Sequence, residues 1–241
     1  KDQPDLCGVQ IDLTWAKARR AGTAAQRQGL AELTEFSAPP RSGADPCGRG
    51  ERARAALLSA ELTLDSDPAA RGDARAALAR ARAMTAPEDV LAGDRLAAAW
   101  LRTGDPRLAE VQSRSGLSHL ATRRRTRLLL AESLLRLNQG AEALTTLEPL
   151  LAGSAGIEDS EAALLKARVL LSLNDTLEAQ KLARKLVAST GVAPQVRAGA
   201  QRVLGRVSLI LGEPATARRT LEPLVRQLAG ANATDSQLRD E

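Results

Sequence analysis

A chain of 241 residues, 44% of them hydrophobic, can bury a substantial core, as one elongated domain or as two compact ones. Aromatic residues make up 1% of it, with no Tyr, while the helix formers Ala, Leu and Arg dominate, so the composition predicts an all-α protein and argues against a sheet. No apolar run approaches the roughly 20 residues of a membrane-crossing helix, and the net charge of +5 is gathered in two stretches rather than spread evenly.

In chain order, Lys1 to Pro4 reads as a frayed start, followed by a helix to Arg20 on the spacing of Leu6, Val9, Leu13 and Ala16. Gly22 ends it, and Thr23 is the expected N-cap of a partner helix reaching Phe36. Residues 37–50 (SAPPRSGADPCGRG) are rich in Pro and Gly and predict a loop. The only two cysteines flank this region, Cys7 in the first helix and Cys47 in the loop. The expected arrangement is a Cys7–Cys47 disulfide, because a long Gly/Pro-rich loop needs something to hold it; the alternative is two unpaired thiols. A helix from Glu51 to Leu64, a break at Asp65-Ser-Asp-Pro and a second helix from Ala69 to Met84 come next. Pro87 is expected to open a helix that ends at the Gly104-Asp105-Pro106 turn. A short helix to about Ser113 follows, with Gln112 to Ser118 read as a polar break.

From about Ser118 to Leu228 the chain repeats itself three times, a long apolar-periodic segment, a break and a shorter segment. Thr146-Leu147-Glu148-Pro149-Leu150 returns as Thr220-Leu221-Glu222-Pro223-Leu224. Self-similarity at such a period marks stacked helical hairpins, each covering an apolar face its neighbour cannot cover alone. The organisation expected is an N-terminal hairpin and cysteine loop over 1–50, irregular hairpins over 51–117, three repeats over 118–229 and a solvated, disordered tail over 230–241.

Small residues recur in pairs twelve apart: Ala97/Ala109, Ala131/Ala143, Ala167/Ala179 and Gly205/Ala217. Leu147 and Leu221 follow two of these pairs by four residues, and the first members lie 34, 36 and 38 residues apart. Leu96, Leu130 and Leu204 precede the small residue, and Trp100 stands at a further aromatic position. On these residues the stretch from Pro87 to Leu228 resembles the tetratricopeptide repeats, whose pattern has a period of about 34. Lys166, Ser113 and Ala183 depart from that pattern. The resemblance implies a right-handed α-solenoid of about six hairpins, with the first helix of each lining a concave groove. Carried over position by position, that groove shows Asp94, Arg102, Arg125, Glu132, Arg136, Arg168, Arg202 and Arg206, with Leu128, Leu135, Leu164, Leu171 and Leu209 between them. Such a trough suits a protein or peptide segment with acidic side chains or a free carboxylate, although several of these arginines could instead be solvated or paired with Glu132 and Glu161.

The two basic stretches are 101–130, with seven arginines against two acids, and 197–226, with six against two. They could attract acidic peptides, anionic lipid or nucleic acid, or simply solvate helix faces. Nucleic acid is disfavoured, since no aromatic residue that could stack on a base lies on them. The single histidine, His119, has no carboxylate at ligand spacing, and two cysteines without histidine fall short of a metal site. Gly153-Ser154-Ala155-Gly156 is not a nucleophile elbow, and Asp65 and Asp67 lack the remainder of a calcium loop.

The reading that follows is a non-enzymatic binding scaffold, without cofactor or metal, in the periplasm or another extracytoplasmic space of a bacterium. It would assemble or anchor a pilus, secretion, polysaccharide-export or cell-wall complex, with a signal peptide removed upstream. The alternatives are the docking region of a cytosolic regulator, or the helical non-catalytic domain of an envelope enzyme such as a lytic transglycosylase.

Overall fold

A computed structural model of the protein describes residues 6–20, 22–39, 47–152 and 159–237, with side chains described up to 227. The expected frayed start, the middle of the Pro/Gly-rich loop, the Gly153–Gly156 segment and the last four residues lie outside these. Among the described residues the chain is all helical, with twelve helices in sequence. They are α1 (Leu6–Arg20), α2 (Thr23–Phe36), α3 (Arg49–Ser66), α4 (Arg71–Met84), α5 (Val90–Thr103) and α6 (Pro106–His119), then α7 (Arg124–Arg136), α8 (Gly140–Leu151), α9 (Ser160–Ser172), α10 (Thr176–Ala188), α11 (Pro194–Ile210) and α12 (Pro214–Gln237).

The chain divides into two compact units, residues 1–129 and 130–241, a division that falls inside α7. In the first unit, α1 lies beside α3 and α3 beside α5, with α2, α4 and α6 packed against them. Its core has two parts. One joins Ile11, Leu33, Leu58 and Leu62 around the cysteines. The other joins Leu57, Leu78, Leu96 and Trp100 with a bed of alanines. Cys7 and Cys47 form a disulfide with a Cα–Cα distance of 5.5 Å, fastening the end of the loop to α1. In the second unit, α9 lies beside α11, with α10 and α12 packed against them. There the core is Leu171, Leu186, Val196, Val203 and Val207, again interleaved with alanine. Alanine on facing helices lets backbones approach closely, which is how a chain so poor in aromatics fills its interior.

Four hairpins, α5/α6, α7/α8, α9/α10 and α11/α12, share one turn. In each, a residue at Gly104, Asn138, Asn174 or Gly212 takes positive φ, between 60° and 84°. The next amide donates back across the helix end: Asp105 to the Trp100 carbonyl, Gln139 to Leu134, Asp175 to Leu170 and Glu213 to Ser208, at 2.8–2.9 Å. These are helix-terminating bonds that satisfy otherwise orphan carbonyls, and only glycine or asparagine enters that backbone region cheaply. The four turn residues are spaced as the small-residue pairs are, at 34, 36 and 38. All eight members of those pairs are buried.

Several boundaries differ from the sequence expectation. Pro87 does not open α5; the helix begins at Val90, because Asp89 caps it by accepting from the Ala92 amide at 3.0 Å. Thr23 is the first residue of α2 rather than its cap, which is Gly22. The polar run from Gln112 to Ser118 is helical, inside α6. Its Ser113 and Gly116 face inward, and a Cβ built on Gly116 would lie 3.0 Å from Thr126, so small polar residues serve here as a packing face. His119 is the last residue of this helix. Finally, α12 continues to Gln237, through most of the segment whose polarity points to a tail; alanines at 229, 231 and 233 favour continued helix.

Candidate binding surfaces

Ion pairs connect the first helices of neighbouring hairpins. In the first unit, Arg54 of α3 bonds Asp12 of α1 at 2.6 Å. Arg95 of α5 holds Glu61 of α3 through two donors, and Arg102 bonds Asp65 at 2.6 Å. In the second unit, Arg168 of α9 holds Glu132 of α7 through two donors, at 2.5 and 3.0 Å. The rule is an acid on one first helix and an arginine on the next. Pairs of this exposure contribute little each, about 0.2–1 kcal/mol, so their value lies in fixing register more than in stability.

Of the residues expected in a basic groove, Arg102 and Arg125 belong to the first unit and Glu132, Arg136, Arg168, Arg202 and Arg206 to the second. Arg102 is committed to Asp65, which Arg19 also approaches at 3.4 Å. Arg125 lines a cleft of about 990 Å³ between the start of α3, the α4–α5 loop and the first turn of α5. Asp94, in the wall of that cleft, is 3% exposed and accepts from Arg123 Nε and Thr126 Oγ1, both at 2.6 Å. It is a packed anchor rather than a free groove carboxylate. Its partners come from the residue before α7 and from the first turn of α7, a tertiary pairing about thirty residues away that local sequence pattern does not reveal.

In the second unit Arg136 and Arg168 both bind Glu132. Arg202 and Arg206 differ from them. Both are exposed on α11, one helical turn apart, and neither makes a hydrogen bond or ion pair among the described residues. The apolar residues expected between the arginines also separate. Leu171 is core, Leu164 packs where a Cβ on Gly199 would otherwise sit, and Leu128 and Leu135 are half-buried. Leu209 alone of the five is open, at 55% exposure.

Elsewhere, Trp100 is buried and Trp15 half-buried, with the Arg19 guanidinium 5.1 Å above the Trp15 ring. Leu6, Val9 and Leu13 form an exposed apolar stripe on α1. Among the described residues no group of three His, Cys, Asp or Glu is placed to hold a metal, and no helix is long and apolar enough to cross a membrane. No family model matches the chain, and no curated protein matches it.

Proposed function

We propose that the chain is a tetratricopeptide-like α-solenoid, a scaffold that grips an acidic segment of a protein partner in the bacterial cell envelope. The observation that carries this is the coincidence of three features at one spacing: the positive-φ turns, the buried small-residue pairs and the first-helix register recur together at 34, 36 and 38 residues. Hairpins of this kind offer exposed first-helix faces, and such faces suit extended or helical segments of other proteins. The partner's character follows from charge. Among the second unit's groove candidates four arginines accompany one acid, Glu132. The Cys7–Cys47 bond supports an extracytoplasmic placement, since structural disulfides persist in oxidising surroundings.

The test is capture by the oxidised full chain on a resin, from envelope and cytosolic fractions of the source cells. A partner retained from the envelope fraction and released by moderate salt is expected. A partner confined to the cytosolic fraction, or no saturable partner in either, would sink the reading.

A further inference from the structure

In the second unit, the residue after the buried small position is Glu132 in α7, Arg168 in α9 and Arg206 in α11. Arg168 reaches back one hairpin and holds Glu132. α11 lies beside α9, yet the register offers Arg206 an arginine where it offers Arg168 a glutamate. The acid-then-arginine rule stops at α11. Arg202, one turn earlier, is equally without a partner among the described residues. Like charges four apart on a helix are unfavourable, with Cβ atoms roughly 5–6 Å from each other. An incoming anion relieves that repulsion. Leu209 and Ile210, 55% and 56% exposed, follow Arg202 by seven and eight residues and so share its helix face.

We propose that this face of α11 docks a helical segment of a protein partner that carries two carboxylates one turn apart, followed by an apolar side chain. The proposal rests on the scaffold reading and names the partner's recognition chemistry. Carboxylates at i and i+4 of a helix laid alongside match the spacing of Arg202 and Arg206, and an apolar residue a turn further on covers Leu209 and Ile210. The molecule makes the same kind of contact internally, where the Arg168 guanidinium takes both oxygens of Glu132. A second copy docked through its own open apolar stripe on α1 does not supply the anion, because the only acid of α1 is Asp12, already bonded to Arg54. α11 carries no aromatic residue on which a nucleobase could stack.

The experiment is a titration of the oxidised full chain with a labelled alanine-based helical peptide bearing Glu at i and i+4 and Leu at i+7. The same peptide with Gln for both Glu, and a short single-stranded DNA, are the comparators. Saturable, salt-sensitive binding of the Glu peptide is expected, weakened about tenfold or more by Arg202→Glu with Arg206→Glu and by Glu→Gln in the peptide. Arg80→Glu with Arg82→Glu, exposed on α4, should leave it unchanged. Circular dichroism checks that both double variants stay folded, and the milder Arg202→Gln with Arg206→Gln replaces the first if it does not. Equal binding by the α11 variant, equal binding of the Gln peptide, no saturation, or tighter binding of DNA would each overturn the proposal. If the peptide fails while an envelope partner is still captured, the α11 site falls and the scaffold reading stands; if both fail, the scaffold reading falls too.

Discussion

Leu221 of α12 packs directly onto Gly205 of α11: a Cβ built on that glycine would lie 2.6 Å from both Cγ and Cδ2 of the leucine. These are the small residue of one helix and the large residue of its partner, and the contact explains why a glycine sits mid-helix despite a propensity cost of about 1 kcal/mol. Gly205→Ala should therefore destabilise, since overpacking of about 1–3 kcal/mol exceeds the gain in helix propensity. Urea melts should show the loss, and adding Leu221→Ala should recover part of it. A more stable single variant would mean that Leu221 is free to move aside.

Ser113 occupies the corresponding large-residue position in α6, is 1% exposed, and has an Oγ without a hydrogen-bond partner among the described residues. Removing an unsatisfied buried hydroxyl relieves a desolvation cost of about 1–3 kcal/mol. Ser113→Ala should raise the melting temperature by about 2–4 °C per kcal/mol gained in a chain of this size. An unchanged or lower temperature would show that the hydroxyl is satisfied in solution.

The Cys7–Cys47 bond closes a separation of 40 residues. In the chain-entropy model such a bridge stabilises by about 4 kcal/mol. Reduction, or Cys7→Ser with Cys47→Ser, should lower the melting temperature, and the native protein should titrate with no free thiols. Two titratable thiols in protein taken from its own compartment would remove the support for an oxidising location.

Glu132 holds Arg136 and Arg168 together, and its side chain is 16% exposed against 43% for each arginine. It is thus an internal rival for any anion that would bind those arginines. Glu132→Gln should cost less than about 1 kcal/mol of stability, the range of exposed ion pairs, while leaving binding of the acidic helical peptide, which docks on Arg202 and Arg206, nearly unchanged. Markedly tighter peptide binding by a folded Glu132→Gln variant would instead bring Arg136 and Arg168 into the peptide's site.

The hairpins were legible because their period is dictated by residues whose type is constrained: Ala97, Ala131, Ala167 and Gly205 must be small where helices touch, and Asn138, Asn174 and Gly212 must tolerate positive φ. The helical identity of 112–118 was not legible, because Ser113 and Gly116 pack inward through smallness rather than hydrophobicity. Nor was the state of each arginine. Arg168 and Arg206 look alike in sequence, and only the neighbour one hairpin back, Glu132 for one and Arg168 for the other, separates them. Asp94 likewise reads as a groove carboxylate until Arg123 and Thr126 are seen closing over it.

The most direct measurement is site-specific photo-crosslinking in the source cells, with a photoreactive residue at Leu209, 55% exposed on the same helix as Arg202 and Arg206, and a control at Leu177, 72% exposed on α10. Docking on α11 predicts an adduct from Leu209 and none from Leu177, with the crosslinked partner peptide carrying acids spaced one helical turn apart. An adduct from Leu177 alone, equal adducts from both, or a partner peptide without acidic residues would contradict it.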